Sequence, residues 1–363
     1  MMDAMEDEMS YDENTTFKYI PYFDDDDYTP CSHEEIKLFD QHFVPVFYSL
    51  LFIFGLLGNG LVMVVMLGTR QKLQSTDMFI LHLAVADILL ATTLPFWAVQ
   101  ATFGWIFGEA VCKIVFSIFK INFYAGTFLL ACISCDRYLS IVFAVQIYKK
   151  QRQKLVHWSC LVVWSLCTLL SIPDLIYYTV TFEPRTNMTE CQADFPIGTS
   201  TAWKASLAFL YHILGFLLPL IGMLFCYIHI VITLLKSQGF KRHKALRLIV
   251  AVVVAFFLCW TPYNIVAFMD TIRMLGGLDG KCKVLQNIDI ALSITSGLCY
   301  FHSCLNPLLY VFIGAKFRNN LAELLSRARV SPRWVPGVSK SRPSSTKSFT
   351  WSESGDTSLS GIY

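Results

Sequence analysis

Charge is what this sequence has least of. Asp, Glu, Lys and Arg make up 15% of its 363 residues against 55% hydrophobic ones, and mean hydropathy is +0.50. That excludes an ordinary water-soluble domain and points to a polytopic membrane protein. The net charge of +2 carries no basic surplus, and no nucleic-acid partner is expected. A basic n-region with a cleavable apolar stretch is also lacking ahead of the first long apolar run. The first span is therefore expected to act as the insertion signal.

The charge that is present is unevenly spread. Residues 1–40 hold thirteen of the 27 acidic residues and only two lysines, Lys18 and Lys37. High like charge and few apolar residues predict an acidic, disordered extracellular tail over 1–43. Such a tail draws in a basic partner and raises its on-rate. Tyr11, Tyr19, Tyr22 and Tyr28 stand among carboxylates that include Asp24–Asp27, a setting that suits tyrosine sulfation. The competing reading is a solvating tail with no partner.

Seven apolar runs follow, at 44–69, 78–103, 112–144, 155–178, 203–235, 246–272 and 285–314. The fold expected is an all-α membrane protein, a seven-transmembrane helix bundle over 44–314. Positive charge collects after the first, third and fifth runs: Arg70 and Lys72; Lys149, Lys150, Arg152 and Lys154; Lys236, Lys241, Arg242 and Lys244. The positive-inside rule then puts the N-terminus outside and the C-terminus in the cytoplasm. The sequons at Asn14 and Asn187 fall outside, as glycosylation requires.

Of the twelve cysteines, eight lie within apolar runs and read as small buried side chains. Cys31, Cys112, Cys191 and Cys282 lie at or beyond the outer rims. Four such thiols on one face argue for disulfides, and three pairings are open. No cysteine follows Cys304, so no palmitoyl anchor is expected on the amphipathic surface helix at 315–328. The last segment, 329–363, is Pro-rich and then Ser/Thr-rich, a cytoplasmic tail suited to phosphorylation.

The stretch Cys112–Val142 organises the chain. As a helix, Cys112 to Arg137 spans about 37 Å, enough to cross a bilayer at a tilt. It carries a thiol at one end and Asp136-Arg137-Tyr138 at the other, and a charge pair at that place is a functional candidate. Other chemistries lack what they need. No lysine stands between Lys283 and Lys316 to hold a retinal, and His302-Ser303 are adjacent and point apart, unlike a protease's base and nucleophile. Inverted repeats of a transporter are absent. Cys132 and Cys135 lie in an apolar helix, so neither redox nor metal work is expected of them.

Gly58-Asn59, Leu83-Ala84-Val85-Ala86-Asp87, Asp136-Arg137-Tyr138, Trp164, Pro219 with Tyr227, Cys259-Trp260-Thr261-Pro262 and Asn306-Pro307-Leu308-Leu309-Tyr310 occur in order on the seven runs. With these the chain resembles a rhodopsin-like G-protein-coupled receptor over all its spans. Thr93-Leu94-Pro95, Trp105-Ile106-Phe107-Gly108 and the outer pair Cys31 and Cys282 narrow the resemblance to chemokine receptors, and the runs LHLAVAD, INFYAG, LLACIS, FLLPL, VVVAF, CWTPY and CLNPLLY, with the ending WSESGDTSLSG, to their CXC subgroup. Ser296 stands where many chemokine receptors have an acidic residue.

The resemblance implies a non-enzymatic receptor of the plasma membrane. It would bind CXC chemokines and signal chemotaxis through an inhibitory-class G protein, with receptor kinases, arrestin and membrane lipids as further partners. A chemokine-scavenging receptor without G-protein signalling is the alternative, and such relatives usually lose the Asp-Arg-Tyr pattern kept here. The disulfides implied are Cys112–Cys191 and Cys31–Cys282. Chemokine would meet Tyr19, Tyr22 and Tyr28 in the tail, and Trp97, Tyr124, Asp174, Tyr263, Asp270, Asp289, Ser296 and Tyr300 in an acidic, aromatic cup. Asp136, Arg137, Tyr138, Tyr227, Trp260, Pro262, Asn306, Pro307 and Tyr310 would form the switch. No cofactor is implied beyond an allosteric sodium ion held by Asp87, Asn59, Asn122, Ser303 and Asn306, near Gly126 where many relatives offer serine; a protonated, hydrogen-bonded Asp87 is the competing reading. Lys120, within the third run, either needs a carboxylate such as Asp174 or snorkels to the outer rim.

Overall fold

The computed structural model describes residues 34–68, 73–143, 149–183, 187–236, 243–277 and 282–330. Among these, seven helical segments are long and apolar enough to cross a membrane: Leu38–Gly68, Ser75–Phe103, Gly108–Ile141, Gln151–Tyr177, Ser200–Lys236, Arg247–Met274 and Cys282–Phe312. The first three are α1 (Glu34–Gly68), α2 (Ser75–Phe103) and α3 (Gly108–Ile141). The fourth joins α4 (Lys149–Leu170) to α5 (Ile172–Tyr177). The fifth runs from α6 (Ser200–Leu210) through a π-helical stretch, Tyr211–Leu217, into α7 (Leu218–Lys236). The sixth and seventh are α8 (His243–Met274) and α9 (Cys282–Phe312), and α10 (Ala315–Val330) follows.

Several helices overrun the apolar runs that announced them. α1 starts at Glu34, so the first span begins before 44 and the expected tail over 1–43 ends earlier. One cause is a polar anchor: Ser293 of α9 donates a 2.5 Å hydrogen bond to Asp40, holding that early turn against the seventh span. α2 begins at Ser75 because the Asp77 carboxylate accepts the Gln74 amide at 2.7 Å, closing the first turn.

Packing, rather than withdrawal of apolar surface from water, must hold these helices together, since lipid is as apolar as leucine. Leu57, Val64, Trp158, Ile228 and Leu258 face outward, while Phe123, Leu129, Leu130, Phe256, Trp260 and Tyr310 fill the centre. α3 is the axis: it packs against α2, α4, α5, α7, α8 and strand β1 (Tyr178–Glu183). Of its apolar stretch 61% is buried inside the bundle, against 22% for the fifth span.

At the Cys112 end, β1 pairs antiparallel with β2 (Met188–Ala193), Val180 opposite Cys191. A disulfide joins Cys191 to Cys112, with Cα atoms 5.7 Å apart, and so lays the hairpin across the bundle. Trp105 packs on that disulfide with Val115, and its amide hydrogen-bonds to the Thr189 carbonyl at 2.6 Å. Gly104 makes this approach feasible: its φ is +77°, and a Cβ there would stand 2.8 Å from the Thr189 carbonyl oxygen. Cys282 is disulfide-bonded, and Cys31 lies outside the described residues.

Candidate functional site

Three layers of side chains run down the bundle. The first is the cup at the disulfide end. Phe116 stacks on Tyr178 at 3.8 Å and meets Trp97 edge-on at 4.6 Å. Desolvation first, and then the charge of Asp174, push the Tyr178 hydroxyl well above the usual tyrosine range, so it stays neutral. Below lie Phe119, Tyr263 and Tyr300, with Phe119 edge-on to both tyrosines at 6.3 and 5.7 Å.

The anticipated cup residues fare differently. Asp174, Trp97, Tyr124, Tyr263 and Tyr300 gather here. Asp270 is turned to its own helix, where Arg273 Nε donates to it at 2.8 Å, because a partner three residues on lies within reach of one turn. Ser296 faces the first span, donating to the Ser293 carbonyl at 2.9 Å with the Tyr48 hydroxyl 3.4 Å away. Asp289 is half-buried near Asp40. Lys120 makes no ion pair with Asp174 among the described residues. Its ammonium lies over the Tyr211 ring, 4.2 Å from the centroid, and Asp174 acts on it only through its field. Tyr19, Tyr22, Tyr28 and Asn14 lie outside the described residues, while Asn187 is exposed with φ 54° at the β-hairpin.

The middle layer surrounds Asp87, which is fully buried. Asn306 Nδ2 donates to its Oδ2 at 2.8 Å, Asn122 Nδ2 stands 3.5 Å from Oδ1, and His302 Nε2 also approaches Oδ1 at 3.5 Å. Two residues of the anticipated sodium set do not turn to it. Asn59 donates to the Gly55 and Ser303 carbonyls at 3.0 and 2.9 Å, and Ser303 Oγ donates to the Tyr300 carbonyl at 2.7 Å. Pro307 lacks the amide that would bond the Ser303 carbonyl, which leaves that carbonyl open to Asn59. The side-chain oxygens of Asn59 and Asn122 are buried without a partner, and oxygens are the donors a hard cation takes; of the two residues, Asn122 is the one that reaches the carboxylate. Gly126 leaves room for Phe256, whose ring a Cβ would meet at 2.9 Å. Phe256 in turn packs on Trp260 at 5.7 Å and on His302 at 5.4 Å.

The third layer is a cavity of about 880 Å³ at the other end, lined by Thr76, Asp77, Arg137, Arg247, Tyr310 and Lys316 among others. Arg137 hydrogen-bonds to Thr76, and its Nε keeps 3.9 Å from Asp136. Asp136 belongs instead to Arg152, whose Nη2 donates at 2.8 Å to both carboxylate oxygens. Ser134 Oγ donates to the Tyr227 hydroxyl at 3.1 Å, the Tyr310 hydroxyl is buried without a partner, and Lys316 of α10 pairs with Asp77. Tyr138 points away, edge-on to Phe143 and near His229. Thr76 and Arg152 escaped the sequence reading as site residues: a threonine just ahead of the second apolar run gives no local signal of a contact with Arg137, nor does a cation sixteen positions beyond Asp136.

Pro262 and Pro307 lie inside α8 and α9. Pro219 follows the π-helical stretch, where it removes the amide that would bond the Gly215 carbonyl, and the widened turn absorbs its ring.

A disulfide-capped aromatic cup, a buried carboxylate at mid-depth and an arginine-lined cavity, joined by proline-bearing helices, define a seven-span receptor. The family described as 7 transmembrane receptor (rhodopsin family) matches residues 58–310, and the chain belongs to it and, within it, to the chemokine receptors. The chain is similar to "C-X-C chemokine receptor type 3" of Rattus norvegicus, at 47% identity over 353 residues, 96% of this chain and 95% of the relative. The Homo sapiens receptor of that type is 48% identical over 333 residues, covering 92% and 89%. "C-X-C chemokine receptor type 2" of Oryctolagus cuniculus is 42% identical over 334 residues, covering 92% and 90%. The protein is a multi-pass plasma-membrane receptor and not an enzyme.

Proposed function

We propose that this chain is a receptor for CXC chemokines that signals chemotaxis through an inhibitory-class heterotrimeric G protein. Its N-terminus is outside and its C-terminal tail is a substrate of receptor kinases that recruits arrestin. The observation that carries the reading is the arrangement at the arginine end. Arg137 faces an 880 Å³ cavity while Arg152 occupies its neighbouring carboxylate. A bound ligand that repacks Trp260 and Phe256 shifts α8, widens that cavity and frees Arg137 for a G-protein segment. The cup supports a basic ligand segment through Asp174 and its tyrosines, and the acidic residues of 1–40 support docking of a basic globular body. When bound, a sodium ion at Asp87 would supply a positive charge in mid-membrane; Asp87 and the free oxygens of Asn59 and Asn122 would hold it.

The test is cyclic AMP in cells expressing the chain, challenged with a panel of CXC chemokines with and without pertussis toxin. A toxin-sensitive fall for a subset of ligands is expected. Ligand uptake with no change in cyclic AMP would establish the scavenger instead.

A further inference from the structure

An acidic cup should have no use for a cation, yet α3 places one there. Lys120 stands one turn beyond Phe116, with its ammonium 4.2 Å from the centre of the Tyr211 ring. A lysine has three donors to satisfy, and a ring face takes none of them as a hydrogen bond. Among the described residues Lys120 makes neither a hydrogen bond nor an ion pair. Asp174 reaches it through its field rather than by contact.

The ring beneath it carries a second unspent donor. Tyr211 is 4% exposed and its hydroxyl has no hydrogen-bond partner, although a buried phenol ordinarily finds one. The position of Tyr211 is built with care. It opens the π-helical stretch of the fifth span, stacks on Phe123 at 4.2 Å and stands edge-on to Tyr263 at 6.5 Å. Gly215, one turn on, lets the span come this close, since a Cβ there would run into the Phe123 and Tyr124 rings. A π-helical turn is uncommon and is found mostly at functional sites.

A cation on one face of a fixed ring, a free hydroxyl at its rim and a carboxylate on the neighbouring span together suit a pair of opposite charges. We propose that Lys120 and the Tyr211 hydroxyl form a carboxylate subsite. It receives an Asp or Glu side chain from the ligand segment that enters the cup, while Asp174 takes a cation beside it. Before binding, Lys120 and Asp174 balance one another across the cup. On binding each exchanges that distant partner for a close one, so no net charge is buried. The subsite thereby selects among basic ligands by the position of one acid. This rests on the chemokine reading and sharpens it.

The test uses a CXC chemokine displayed on phage with its N-terminal segment randomised, selected on cells bearing the wild-type chain, K120R, K120Q or K120E. An epitope tag on the receptor corrects for surface level. Wild-type and K120R pools should be enriched in Asp and Glu at one or two positions, the K120Q pool should lose that preference, and the K120E pool should turn to Lys and Arg. In a selected ligand, Glu→Gln at the enriched position should weaken wild-type binding about tenfold and leave K120Q binding nearly unchanged. Should K120Q fail to reach the surface, the Glu→Gln comparison on wild type and K120R still decides. Equal acid content in the wild-type and K120Q pools, or indifference to Glu→Gln on wild type, overturns the subsite. Recovery of no chemokine clone above untransfected cells overturns the chemokine reading itself, and the subsite with it.

Discussion

Arg152 shows how much one side chain can decide and how little of it a sequence reveals. As a letter it is one of four cations after the third span, useful for orientation and nothing more. In the folded chain it holds Asp136 with two contacts at 2.8 Å, and Arg137 is left to Thr76. Arg152 is 34% exposed, so water screens the pair and its worth is about 1 kcal/mol. That is still roughly a fivefold bias in a two-state equilibrium. R152Q leaves Asp136 to Arg137, 3.9 Å away, and should accordingly lower ligand-free inhibition of cyclic AMP a few-fold at equal surface level; a basal signal identical to wild type would show the contact to be idle. Lys120 teaches the same lesson. Its charge within an apolar run flagged it as needing company, but composition could not say that the company is an aromatic ring on another span. Residues whose partners lie within one helical turn, such as Asp270 with Arg273, are legible in principle from spacing. Those whose partners lie on other spans are not.

At the level of the element, the seven spans were legible because each apolar run is longer than a bilayer is thick, and nothing else satisfies the backbone there. Their ends were less so, since capping at Gln74 and the Asp40–Ser293 bond extend helices beyond the hydropathy signal. The fifth span was the hardest. Pro219 marks a disturbance, but the widening at Tyr211–Leu217 depends on what α3 presents to it. Gly215 is the element's weak point. G215V would drive a branched side chain into the Phe123 and Tyr124 rings and should lower both surface level and thermal stability in detergent by the equivalent of about 1–3 kcal/mol. A variant as stable as wild type would mean that the two spans separate freely. The β-hairpin depends on its covalent tie: rim cysteines allow three pairings by sequence, and the fold joins Cys112 to Cys191. Replacing both by serine should destabilise the receptor by about 2–5 kcal/mol, read as a lower melting temperature and lost ligand binding. Retention of both properties would show the hairpin to be held by Trp105 and the Thr189 carbonyl alone.

For the whole molecule, the long-range field is set by a chain whose acid lies at one end. Removing residues 1–30 strips ten of the thirteen acidic residues from 1–40 and should slow chemokine association and flatten its dependence on ionic strength. Association measured by surface plasmon resonance at two salt concentrations checks this, and identical slopes for both chains would remove the tail from the encounter. The burial of the spans has another consequence, for how the sequence can drift. With 61% of its apolar stretch buried inside the bundle, the third span is the more constrained, whereas only 22% of the fifth span's stretch is buried. Any lipid-soluble side chain serves at the outward positions. A saturation-substitution map should therefore show α3 intolerant over more of its circumference than α7, which should be most intolerant along a stripe through Met223, Cys226, Ile230 and Leu234. Lineages descended from this chain are then free to diverge on one side of the barrel while its axis stands still.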